Sequence, residues 1–135
     1  MKMAKIFLYA LLFCAVMASS AEAGKRGTVD GLWRGRVVFS YSTGGRASTV
    51  LAANTGYADY FTGTLRETSA YGTAYYSVDG SKSRGHKHIS GNFLSYDGCS
   101  SGTWSFTANG GTVKAWASGT NACYGYTFTM SGNLQ

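Results

Sequence analysis

Residues Cys99–Gln135 read CSSGTWSFTANGGTVKAWASGTNACYGYTFTMSGNLQ. Trp104 and Phe106 alternate with Thr103, Ser105 and Thr107. Val113, Ala115 and Ala117 then alternate with Thr112, Lys114, Trp116 and Ser118, and Tyr124, Tyr126, Phe128 and Met130 with Gly125, Thr127, Thr129 and Ser131. A repeat of two puts successive side chains on opposite faces of an extended chain, so each run predicts a half-buried strand. Asn109-Gly110-Gly111 supplies the positive φ angles that a tight hairpin needs. The block therefore predicts strands over Gly102–Ala108, Thr112–Ser118 and Tyr124–Leu134. Trp104, Phe106, Tyr124, Tyr126, Phe128 and Met130 form its inward face.

Working outward, the same alternation predicts strands over Leu32–Tyr41, Arg46–Ala53, Tyr57–Glu67, Thr73–Val78 and His86–Tyr96. Ser42-Thr43-Gly44-Gly45, Asn54-Thr55-Gly56 and Ser69–Gly72 make turns between them. Asp79–Gly85, polar and basic, reads as an exposed loop, and Gly24–Asp30 as a mobile polar leader. No stretch carries a helical stripe and the chain holds no proline. The fold class is all-β: an antiparallel meander of about eight strands closing as a β-barrel, with a β-sandwich as the alternative. Closure is attractive because it removes edges that would otherwise pair with other chains.

Residues 1–23 have the parts of a cleaved secretory signal: Lys2 and Lys5, an apolar run from Ile6 to Ala18, and the small-x-small site Ala21-Glu22-Ala23. The apolar run is shorter than the roughly 20 residues a spanning helix needs, so no transmembrane segment is expected. The mature chain, 24–135, is then one secreted or periplasmic domain. It keeps two cysteines, Cys99 and Cys123, which in an oxidising compartment predict one disulfide, with about 3.5 kcal/mol of stabilisation from closing the loop.

Gly31-Leu32-Trp33 at the start of the first strand resembles the Gly-x-Trp with which lipocalins and related calycin barrels begin. The resemblance covers three residues. The chain is shorter than a typical lipocalin and lacks the late-strand arginine that packs on that tryptophan, so no ligand and no site are carried over.

Lys and Arg number 12 against 6 Asp and Glu, a net charge of +6. A mildly basic surface favours an anionic partner. Aromatic residues at 15% against 13% charged residues argue for a folded chain and against disorder.

The chemistry-bearing patterns are sparse. His86 and His88 stand two apart on a predicted strand, which would offer two metal ligands on one face, but Lys82, Arg84 and Lys87 make the neighbourhood repulsive to a cation. Asp30, Asp79 and Asp97 sit beside glycines as turn residues. No nucleophile elbow and no phosphate-cradling glycine motif is present. No catalytic residue, cofactor or metal is therefore assigned, and export argues against nucleic acid.

What stands out is the surplus of tyrosine, which joins an apolar ring to a polar handle. Trp116, beside Lys114 on the face opposite Val113 and Ala115, and the Tyr75-Tyr76 pair are the candidate ligand-binding residues. The expected function is recognition of a small or glycan-like ligand through exposed aromatics. The alternative is a protein-binding factor, such as an inhibitor of an extracellular hydrolase acting through a protruding Asp79–Arg84 loop; a third reading, an enzyme, would need His88 near an acid and a nucleophile in one cleft.

Overall fold

The computed structural model describes residues 24–135, so the signal expected over 1–23 lies outside the described residues. Eight strands follow in order: β1 (Leu32–Tyr41), β2 (Arg46–Asn54), β3 (Tyr60–Ser69), β4 (Gly72–Lys82), β5 (His88–Ser95), β6 (Ser100–Asn109), β7 (Thr112–Asn121) and β8 (Tyr126–Leu134). Each pairs antiparallel with the next, and β1 pairs with β8, so the meander closes as a barrel and the sandwich is excluded. Cys99 and Cys123 form the expected disulfide, with a Cα–Cα distance of 5.2 Å.

The closing seam runs from Val37 opposite Gly132 to Tyr41 opposite Phe128. Arg34 and Gln135 extend it, each donating its backbone N–H to the other's carbonyl at 2.9 Å. Gly35 and Gly132 let these strands coil closely. A methyl group at Gly35 would strike the Asn133 carbonyl oxygen, and one at Gly132 the Arg36 carbonyl oxygen. Gly132→Ala is expected to lower unfolding free energy by about 1–3 kcal/mol through this overpacking. Urea titration checks it, and an unchanged midpoint would show that the seam has slack.

Inward-facing side chains fill the barrel. Trp33, Trp104, Phe106, Ile89 and Val113 are almost wholly buried, and the Trp104 ring meets Phe106 edge-on at 5.0 Å. The interior void is apolar and about 20 Å³, room for roughly one water and for no ligand.

The two ends of the barrel differ. At one lie the start of β1 and the β2–β3, β4–β5 and β6–β7 connections. Residues 24–30 close this end and do not form the mobile leader expected. Gly27 N–H donates to Gly110 O at 2.7 Å and Val29 N–H to His86 O at 2.7 Å. Val29, the one large apolar residue of the segment, is fully buried, and its carbonyl accepts from the Trp33 indole at 2.8 Å. Gly24 lies against the Trp33 ring.

Asp79–Gly85 is not an exposed loop either. Asp79–Lys82 belongs to β4, with Ser81 opposite Ser90 and Lys82 opposite Ile89, and the connection is only Ser83–Lys87. The alternation that points Val78 inward continues through Gly80 to Lys82. The Lys82 ammonium, with no side-chain exposure, reaches Asp30 at 2.7 Å and the Gly56 carbonyl at 3.0 Å. Asp30 is thus a buried partner and not a turn residue.

Candidate functional site

Among the described residues none plugs the opposite end, where the β1–β2, β3–β4, β5–β6 and β7–β8 connections lie. The disulfide ties the last two of these together on one side of the rim. Strand alternation brings Tyr41, Tyr76 and Tyr126 inward just above the Phe39, Phe93 and Phe128 layer. The Tyr41 and Tyr126 rings meet edge-on at 5.5 Å, and Tyr76 meets Phe93 edge-on at 5.8 Å. On the rim Tyr75 packs on Tyr96 at 5.6 Å. Together they line a recess of about 450 Å³ that also holds Glu67, Asp97 and Asn121.

Its polar groups are fixed by hydrogen bonds. Tyr76 donates its hydroxyl to Glu67 at 2.5 Å. Asn121 donates to the Tyr126 hydroxyl and Ser100 Oγ at 3.2 Å each, while its carbonyl oxygen accepts from the Cys123 and Tyr124 backbone. Asp97 accepts from Ser95 Oγ and from the Cys99 N–H. Burial, reinforced by the Glu67 charge, pushes the Tyr76 and Tyr41 hydroxyls above the ordinary phenol range, so both stay neutral donors. The recess therefore combines apolar ring faces with two carboxylates and an amide, and no cation lines it. It suits a neutral, hydroxyl-bearing ligand better than an anion.

The residues singled out from the sequence are divided between two places. Tyr75 and Tyr76 line the recess. Trp116 and Lys114 lie on the outer wall of β7, Trp116 opposite Ser105 of β6 and Ser131 of β8. Trp116 is 43% exposed, whereas Trp33 and Trp104 are each 1% exposed. Tyr124, expected in the core, stands exposed in the β7–β8 connection, because β8 begins only at Tyr126. Tyr41, Tyr96, Tyr126, Glu67, Asp97 and Asn121 were not assigned from the sequence. The one signal for them is that each lies at a strand end or in a connection, and those ends converge only once the barrel closes.

His86 and His88 do not share a strand face. His86 precedes β5 with a φ of 55°, a left-handed conformation rare for a residue with a side chain. Its ring bridges two carboxylates, with Nδ1 at 2.9 Å from Asp30 and Nε2 at 2.7 Å from Asp59. His88 Nδ1 pairs with the Thr107 hydroxyl at 2.9 Å. Among the described residues no group of three or more His, Cys, Asp or Glu side chains is placed to hold a metal ion.

The hydrogen bonds to Asp30 and then Asp59 raise the His86 pKa above its ordinary 6.5. Burial opposes the Asp30 charge, but the bonds from Lys82 and His86 outweigh it and hold that carboxyl below its ordinary 3.8. The His86 contribution to stability is complete below about pH 6.5 and is lost as pH rises through its folded value. The Asp30 contribution is present above about pH 3.8 and is lost as pH falls through its own. Melting temperature is therefore expected to decline from pH 6 toward pH 9, with a shallower decline in His86→Gln. Equal slopes in the two proteins would contradict it.

The chain matches no known protein family by sequence, and no curated protein resembles it.

Proposed function

We propose that the protein is an exported, non-enzymatic binding module that takes a small neutral polyhydroxylated ligand, or the end of a glycan, in the tyrosine-lined recess at its open end. The recess carries this reading. Aromatic faces stack on the C–H faces of sugar rings, while Glu67, Asp97, Asn121 and the tyrosine hydroxyls bond hydroxyl groups. The filled interior leaves no room for such a ligand inside the barrel, whereas the rim recess offers about 450 Å³.

Export is supported by the signal-like residues 1–23 and by the paired Cys99 and Cys123. Against acyl transfer stand the histidines: both ring nitrogens of His86 are held by carboxylates, and His88 meets a threonine hydroxyl. Neither arrangement presents the nucleophile, base and acid in series that acyl transfer uses.

The test is calorimetric titration against a panel of neutral mono- and oligosaccharides. At least one is expected to bind, and the double variant Tyr75→Ala/Tyr96→Ala is expected to lose about tenfold or more in affinity, with little loss of stability since both rings are exposed. Binding unchanged in that variant, or absent across the panel, would refute the reading.

A protein partner is the second reading, favoured by Tyr57 and Tyr60, which stand 60% and 77% exposed at the β2–β3 connection. The loop expected to carry that role is largely strand, so these two rings replace it as the contact to mutate. A pull-down from envelope extract that is unaffected by Tyr57→Ala/Tyr60→Ala would remove it.

A further inference from the structure

The acidic side chains among the described residues are distributed very unevenly. Asp30, Asp59 and Asp97 lie before β1 or in connections, Glu67 on β3 and Asp79 on β4, so β5 through β8 and on through β1 and β2 carry none. This acid-free wall holds two adjoining rows of outward side chains. One runs from Ser105 through Trp116 and Ser131 to Val38. The other runs from Thr107 through Lys114 to Asn133 and on to Arg36, in the register that sets Gly132 opposite Val37.

Lys114 and Arg36 are thus two strands apart, about 10 Å, directly beside the exposed faces of Trp116 and Val38. Arg34 continues the cationic edge along β1. Arg26 extends it past the β6–β7 turn, where Gly27 bonds Gly110. All four cations are exposed, and among the described residues none of them makes an ion pair.

From this placement we infer that the β7–β8–β1 wall is a second binding surface, for a glycan chain bearing carboxylate or sulfate groups. The Trp116 ring stacks on a sugar face, Ser105, Ser131 and Asn133 bond hydroxyls, and Lys114 and Arg36 hold anionic groups on alternate rings. The surface suits a glycan better than an anionic bilayer. Its exposed apolar groups, Trp116 and Val38, stand on the side of the barrel among hydroxyls, and the nearest turn, Asn109-Gly110-Gly111, offers nothing apolar to insert. The wall lies on the outer face, with Trp116 and Ser131 five residues along their strands from Asn121 and Tyr126 of the recess, and its charge is opposite, so the two surfaces stand or fall separately.

Trp116 is the exposed one of the three tryptophans, which makes acrylamide quenching of tryptophan fluorescence a direct readout. The probes are oligogalacturonate and dextran sulfate, with methyl-esterified oligogalacturonate and plain dextran as uncharged counterparts, and vesicles rich in phosphatidylglycerol. Either charged chain is expected to bind with an affinity that falls as salt rises, and to shield Trp116 from acrylamide. The uncharged chains should bind at least tenfold more weakly. Lys114→Gln/Arg36→Gln should lose about tenfold or more, while Tyr75→Ala/Tyr96→Ala leaves this binding unchanged. Equal binding of charged and uncharged chains, no shielding of Trp116, or binding to the vesicles without binding to either charged chain would overturn it.

Discussion

Asp30→Ala is expected to destabilise the protein by about 3–5 kcal/mol, the loss typical when one partner of a buried ion pair is removed and the other charge stays behind. Lys82 has no side-chain exposure, and without Asp30 its ammonium would keep only the Gly56 carbonyl as a hydrogen-bond acceptor. His86 would lose one of its two carboxylates as well. The double variant Asp30→Leu/Lys82→Met separates two explanations. If the cost comes from a stranded charge, the double variant should recover much of the loss, because apolar groups of similar size need no partner. If the pair itself supplies the stability, the double variant should be no better than the single one. Urea denaturation at pH 7 measures all three proteins, and an Asp30→Ala loss below about 1 kcal/mol would show that Lys82 escapes to solvent.

Reduction of Cys99–Cys123 is the second large effect, with an expected loss of about 3.5 kcal/mol on the chain-entropy account for residues separated by 24 in sequence. Besides limiting the unfolded chain, the bond joins the β5–β6 and β7–β8 connections, between which Asn121 and Ser100 are hydrogen-bonded. Loss of the bond should therefore loosen that side of the recess before the rest of the barrel. Hydrogen exchange on Cys99→Ser/Cys123→Ser is expected to quicken first around Asp97–Ser100 and Asn121–Gly125. Uniform quickening throughout the barrel would mean that the disulfide acts through the unfolded state alone.

Strand alternation is a local property, and the strands were legible for that reason. Trp104, Phe106, Phe128 and Met130 face inward as their period of two requires, and Asn109-Gly110-Gly111 makes its hairpin with Asn109 opposite Thr112. The plugged end was not legible, because its logic is long-range. Asp79-Gly80 carries a strong turn signal, yet pairing with Thr62 and Phe61 of β3, and the flanking Val78–Phe93 and Ser81–Ser90 pairs with β5, keep it in a strand. A lysine at an inward position makes sense only beside Asp30, 52 residues earlier.

The recess was half legible. Tyr75 and Tyr76 were identified as an aromatic pair. Their companions Tyr41, Tyr96 and Tyr126 come from three other parts of the chain, and only barrel closure brings them together. A net positive chain points to an anionic partner without saying where it would sit; most of the cations lie toward the plugged end, Arg46 and Arg66 excepted, and the open end displays Glu67 and Asp97.

The central claim is that the open end is a ligand site. Heteronuclear NMR titration, using the assigned aromatic signals and the neutral saccharide that binds most tightly, tests it most directly. Shifts concentrated on Tyr41, Tyr75, Tyr76, Tyr96 and Tyr126, with Trp33 and the residues around His86 unmoved, are the predicted result. Shifts centred on the plugged end or scattered over the outer wall, with the five tyrosines unmoved, would contradict it.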